Sequence, residues 1–238
     1  AQMKSQCALI HAAAPGLKIY SSTWRYTSEW DDDLDIWGGG AFGCFPVETM
    51  DQLRADGRTI WLTTDAQLLL DTPYSAIERL NPYYCFAYGA VGYEFWALGW
   101  WTYENYDPFR FGWYAYIPHT FTPDGPTQMI RYPNGSGHLA YPGWRVGEGD
   151  GPLSSIRLEQ VREGMEDFEY METLRQRVAA ARQRGVDVSA AERVLARVRE
   201  LVPIPNAGGT RSTAILPDPD AVLRLRADLA AEIQRLGP

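Results

Sequence analysis

The chain has 238 residues, enough for one large domain or two small ones, and its 45% apolar content is that of a protein able to bury a core. A formal net charge of −8, from 22 Lys plus Arg against 30 Asp plus Glu, argues against the basic surface by which proteins hold nucleic acid. No apolar run approaches the ~20 residues that span a bilayer, and no signal peptide is legible, so neither nucleic acid nor membrane is expected as a partner.

The chain starts at Ala1 rather than Met and reads as a processed product or a piece of something longer. Residues 2–14 read as the end of a helix that Pro15-Gly16 stops. Leu17 to Ser21 is a short strand; Leu34 to Trp37 is a second, closed by Gly38-Gly39-Gly40. Val47 to Ala55 is a short helix ended by Asp56-Gly57, and Arg58 to Thr63 a third strand. Ser75 to Tyr88 has a helical pattern in which Pro82 should kink or restart the helix. Tyr93 to Leu98 is a fourth strand, and 102–153 a long loop rich in Gly, Pro and Tyr. Ile156 to Gln183 is one long helix, with Val161, Met165, Phe168, Met171, Leu174 and Val178 on its apolar face. Ser189 caps a further helix to Leu201, and Asp220 opens a last amphipathic helix to Leu236.

Strand and helix alternating at this spacing predict a parallel α/β sheet over 1–153, followed by C-terminal helices over 154–238, the first packed on the sheet region. Ligands meet such sheets at the carboxyl ends of the strands. Here those ends supply Trp24 and Arg25, then Trp37, then Thr64 and Asp65, then Trp100 and Trp101. Of 31 aromatic residues, 29 precede Arg145, so the rings gather where the site is expected. Aromatic faces stack on the apolar faces of sugar rings. Trp37, Trp96, Trp100, Trp101 and Asp65 are therefore the candidate carbohydrate-binding residues, and core packing is the competing reading of the same rings.

Other groups carry competing readings of the same kind. Glu94, a lone carboxylate among apolar residues, either forms an ion pair or meets the ligand; alone it cannot do paired acid/base work. Asp35 is a further candidate for bonds to sugar hydroxyls, and His138 a candidate lining residue. Asp31-Asp32-Asp33 lacks the spacing of a calcium loop and reads as a solvated turn. Arg157, Glu159, Arg162, Glu163, Glu166 and Asp167 fall at helical spacing and read as a structural ion-pair network. Cys7, Cys44 and Cys85 form no metal pattern, and are either buried thiols or include one disulfide. No cofactor and no metal is expected.

Two segments, NPYYCFAYGAVGYEFWALGWW (81–101) and GSGHLAYPG (135–143) followed by SSIRLEQVREGMEDFEYMETL (154–174), resemble the C-terminal part of the glycoside hydrolase family 123-like proteins, which include β-N-acetylgalactosaminidases. Pro15 to Ile19, Leu34 to Trp37 and Ile60-Trp61 are weaker echoes. Phe95, Tyr83, Phe86 and Ser136 depart from the family pattern. The resemblance implies the C-terminal half of a (β/α)8 TIM-like barrel, about four parallel strands, with a helical tail. It implies hydrolysis of a β-linked N-acetylhexosaminide by a substrate-assisted mechanism. The Asp-Glu pair of that mechanism would lie upstream of Ala1, so the chain alone is expected to be inactive and none of its own residues catalytic. Its partners would be a carbohydrate and either the missing N-terminal half of the barrel or a second copy of this chain. A non-catalytic carbohydrate-binding or assembly component that keeps the scaffold is the alternative. The substrate class implies a secreted or cell-envelope location.

Overall fold

The structure, a computed structural model, describes residues 2–23, 25–39, 44–64, 76–95, 98–99, 114–119, 128–133, 138–204, 218 and 220–237. It begins with α1 (Gln2–Ala13), β1 (Tyr20–Thr23), β2 (Ile36–Gly39), α2 (Val47–Ala55), β3 (Thr59–Thr64), α3 (Ala76–Tyr88) and β4 (Gly92–Phe95). The four strands form one parallel sheet in chain order, β1-β2-β3-β4. The chain is thus an α/β protein, as the alternation of its elements predicts.

All four strands shift by a residue or more from their expected bounds, and two of the shifts have plain local reasons. β1 starts at Tyr20 rather than Leu17, because the chains first meet at Ile19. Its carbonyl accepts from the amides of Asp35 and Ile36, both at 3.0 Å, and its own amide donates to the Asp35 carboxylate at 2.8 Å. β2 runs through Gly38 and Gly39 instead of stopping before them. Their missing side chains leave room for neighbours: a Cβ on Gly38 would meet the Tyr20 ring at 2.5 Å, and one on Gly39 would strike Thr63.

α2 begins directly after Pro46, has Glu48 in its first turn and Arg54 in its last, and is followed by Gly57 at φ 75°. α3 is one continuous element with Pro82 inside it. Pro82 has no N–H to give the Glu78 carbonyl one turn earlier; packing on both sides holds the helix through that gap.

The register sorts the sheet's side chains into two faces. Trp37, Ile60, Leu62 and Tyr93 share one face. It packs into a single core with Met50 and Leu53 of α2 and with Leu80, Tyr84 and Cys85 of α3. Burial pushes the Tyr93 phenol up to about 12. The three cysteines are buried thiols and form no disulfide with one another.

Beyond β4 the expected irregular loop contains regular structure. β5 (Tyr114–His119) pairs antiparallel with β6 (Gln128–Pro133), and β7 (Ala140–Pro142) with β8 (Pro152–Ser154). Aromatic and β-branched residues in YAYIPH and QMIRYP suit strands; the Gly and Pro content of the region obscured them.

Then come α4 (Ile156–Gln183), α5 (Ser189–Leu201) and α6 (Ala221–Leu236). α4 packs against α3 and α6, and its Met171, Leu174 and Val178 join the same core. Ser155 caps α4, accepting from the Leu158 amide at 3.3 Å and donating to the Leu139 carbonyl. Gly185 at φ 72° ends it, with the Val186 amide bonded back to the Ala181 carbonyl. Asp187, rather than Ser189, supplies the polar contact at the start of α5: its carboxylate accepts from the Ser189 amide at 2.9 Å. No helix among the described residues is long and apolar enough to cross a membrane.

Helices α3 and α4 approach closely at Gly164, where an added Cβ would overlap the backbone carbonyl of Arg79. Gly164→Ala is therefore expected to cost about 1–3 kcal/mol, because backbone, unlike a flexible side chain, cannot swing aside. Urea unfolding reads this directly; an unchanged midpoint would mean that the two helices slide apart freely.

Candidate functional site

The second face of the sheet carries a different set of side chains. In register order they are Tyr20, Ile36 and Thr59; then Ser22, Gly38, Trp61 and Gly92; then Thr63 and Glu94. The two glycines make the arrangement possible. The Tyr20 ring lies over Gly38, and the Trp61 indole lies over Gly92, where a Cβ would meet it at 2.9 Å. The two rings stand 5.0 Å apart, tilted by 35°. Leaning across Gly38, Tyr20 on β1 reaches past β2 and β3 and donates its hydroxyl to Glu94 on β4.

Tyr20, Trp61, Thr63 and Glu94 are all partly buried. Burial, reinforced by the bond to Glu94 and by its charge, holds the Tyr20 phenol protonated well above its ordinary range. Tyr20 is thus a fixed donor and Glu94 a fixed acceptor, beside an indole. Such a set can accept bonds from hydroxyl groups and stack on an apolar face. Among the described residues of this face Glu94 is the one carboxylate, so the face holds no acid/base pair.

The segment 138–167 supports the carboxyl end of β4 without joining that set. Gly99 bridges to His138, and the Leu98 carbonyl accepts from the amides of Leu139 and Ala140 at 3.0 and 2.9 Å. Arg157 clamps the segment, donating twice to the His138 carbonyl at 3.0 and 2.7 Å and to the Tyr141 hydroxyl at 2.6 Å. His138 is fully buried and stacked on Tyr141, with ring centroids 5.7 Å apart.

The carboxylates of α4 are structural. Arg162 binds Glu159, Glu163 and Glu166 at 2.7–3.0 Å. Arg226 of α6 binds Glu163 and Glu166, each at 2.7 Å. Asp167, fully buried, accepts from Arg79 Nε at 2.9 Å. Burial opposes the charge on Arg226, yet the Glu163 and Glu166 bonds outweigh it and raise its pKa.

Of the residues expected to bind sugar, Trp37 is placed in the core. It is fully buried, with Tyr26 and Phe45 edge-on at 5.1 and 6.3 Å. Its register with Ser21 and Ile60 turns it toward the helices, so it packs and offers no surface to a ligand. Asp65, Trp96, Trp100 and Trp101 lie outside the described residues.

Asp35 sits at the amino end of β2, away from the site. The Ile19 amide first, then His11 and Lys18, hold its carboxyl down to about 2 against a smaller opposing effect of burial. Asp31 accepts from Tyr26, and Asp33 pairs with Lys4; no metal-holding cluster occurs among the described residues. Tyr20 and Trp61 are absent from the sequence-based set. Their signal is the pair of glycines one strand away, which is visible only once the register is known.

A family described as glycoside hydrolase 123, catalytic domain, matches residues 1–174. A family 123 glycoside hydrolase from Clostridium perfringens, solved in work on the details of glycolipid glycan hydrolysis, is similar in fold at TM-score 0.55 and 15% identity. The similarity covers 98% of this chain and 39% of that one, so the chain spans well under half its neighbour's length. Among curated proteins, none matches. With the match running from α1 into α4 and taking in both the sheet and the clamped 138–167 segment, the chain belongs to the glycoside hydrolase 123 catalytic-domain family.

Proposed function

We propose that this chain forms the C-terminal half of a (β/α)8 glycoside hydrolase that cleaves a β-linked N-acetylhexosaminide. The substrate's own acetamido group would be the nucleophile. The observation that carries the reading is the Tyr20–Trp61–Glu94 face, which joins an indole to a held donor and acceptor in a chain of this family. This face supplies sugar contacts, with Trp96, Trp100, Trp101 and Asp65 as further contacts. The catalytic Asp-Glu pair comes from the N-terminal half of the barrel, the open sheet edges are covered by that half or by a second copy of the chain, and the assembly is secreted or sits at the cell envelope.

Tryptophan fluorescence titration with N-acetyl-D-galactosamine tests the sugar contact. Trp61→Ala is expected to weaken binding about tenfold or more, consistent with loss of a stacking partner worth ~1–2 kcal/mol, while Trp144→Ala, at an exposed turn, leaves it unchanged. If neither N-acetylgalactosamine nor N-acetylglucosamine binds, or Trp61→Ala changes nothing, the reading is wrong.

A second reading is favoured by the single carboxylate among the described residues of this face: a component that binds sugar without cleaving it. Native mass spectrometry separates the two. A second polypeptide, with hydrolysis of an aryl β-N-acetylhexosaminide by the complex, supports the enzyme; sugar binding by an inert chain supports the module.

A further inference from the structure

A groove of about 740 Å³ runs beside the carboxyl end of β1, between α1 and the turn Ser28–Trp30. We infer that it is a second carbohydrate subsite, which holds a neutral sugar residue next to the one on the Tyr20–Trp61–Glu94 face. The inference rests on the sugar-binding reading above.

Its volume falls within the range of about 300–1,000 Å³ usual for small-molecule sites. Its lining includes Ser22, Arg25, Thr27, Ser28, Glu29 and Trp30. Hydroxyl groups stand among apolar surface, as on a sugar-binding wall, and both signs of charge are present. Arg25 and Glu29 are exposed, and neither side chain forms an ion pair among the described residues. A groove for an anionic ligand would present cations alone. One guanidinium and one carboxylate beside several hydroxyls match a ligand that both donates and accepts, as a neutral polyhydroxylated sugar does.

The wall is held in place before any ligand arrives. Thr27 caps the turn, and Tyr26 donates to Asp31 at 2.9 Å. Lys4 of α1 stands 5.7 Å over the Trp30 ring, binds the Glu29 carbonyl and pairs with Asp33 at 3.5 Å. A fixed aromatic ring and fixed polar groups lower the ordering cost of binding. The groove also adjoins the sheet face that carries the first site. Ser22 lines it and, two residues after Tyr20, points to the same face of the sheet.

Calorimetric titration of the full chain tests this with two probes: N-acetyl-D-galactosamine, and a β-linked disaccharide carrying that sugar at its non-reducing end. The wild type is expected to bind the disaccharide about tenfold tighter than the monosaccharide. Ser28→Trp, which fills the groove, and Arg25→Ala, which removes its cation, should each bring the ratio to within about twofold, with monosaccharide affinity unchanged. A wild type with no preference for the disaccharide overturns the subsite while leaving the first site standing, as does a ratio that neither variant alters. A change of oligomeric state in Ser28→Trp in place of a changed ratio makes the groove a protein contact and also overturns it. Failure of both sugars to bind overturns the sugar-binding reading and the subsite together.

Discussion

Replacing Asp167 by alanine is expected to lower the unfolding free energy by about 3–5 kcal/mol, the loss seen when one partner of a buried ion pair is removed. Asp167 has no exposed surface. Arg79 Nε donates to one of its oxygens at 2.9 Å, and Arg226 Nε stands 3.2 Å from the other, an ion-pair distance without hydrogen-bond geometry. Burial and then the Asp167 charge push the neighbouring Tyr83 phenol far up, which marks how little water reaches this spot.

Alanine would leave two arginines facing each other across a void. Arg79 and Arg226 retain 14% and 23% of their side-chain exposure, so water offsets part of the cost and the lower half of the range is expected. Arg162→Ala is the matched control. Arg162 makes three ion pairs to Asp167's neighbours, but it is 57% exposed, and its loss should cost far less than that of Asp167, because solvent screens such pairs. Parallel urea titrations compare the two; equal losses would show that the buried pair holds nothing that the surface pairs do not.

The second large effect belongs to Glu78, and its sign is opposite to that of most carboxylates. Glu78 is fully buried on α3, and among the described residues neither of its oxygens has a partner in good hydrogen-bond geometry. Burial pushes its pKa up from 4.5 to about 7, although its own amide and the Arg157 charge pull the other way. The folded protein therefore holds this proton more tightly than the unfolded chain does. Below about pH 4.5 the group is protonated in both states and contributes nothing to the balance. As pH rises from there, the unfolded chain ionises first and stability falls, until the folded carboxyl also ionises near pH 7 and the loss levels off. The full loss is about 3 kcal/mol.

Asp35, with its carboxyl held near 2, contributes the ordinary trend: its stabilisation is present above about pH 4 and is lost on acidification toward 2. The test is thus a difference. Glu78→Gln should match the wild type near pH 4 and exceed it by up to about 3 kcal/mol at pH 8. Parallel stability curves at the two pH values would show that Glu78 ionises as freely when folded as when unfolded.

Helix and strand identities were legible because they depend on neighbours in the chain. The Asp56-Gly57 stop ends α2 where it is observed to end, and the apolar period of 156–183 marks α4. The site was less legible because it depends on register. Trp37 and Trp61 look alike in sequence, each following an isoleucine in a short strand. One residue of phase sends Trp37 into the core and Trp61 to the opposite face. Pro82 misled for a related reason. It forfeits one local bond, but a helix packed against α4 and α5 survives that loss. The carboxylates of 159–167 were read correctly as an ion-pair network because their spacing is local. Their main cation, Arg226, was not foreseen, since it lies 60 positions beyond Glu166.

That separation matters while the chain is being made. At ~5–20 residues per second, about 3–12 seconds pass between the synthesis of Glu166 and of Arg226. For that interval the nascent α4 carries Glu163, Glu166 and Asp167 without the α6 arginine that finally neutralises them. The nascent chain can raise its sheet and α3 before that, but its acidic seam stays open until α6 emerges.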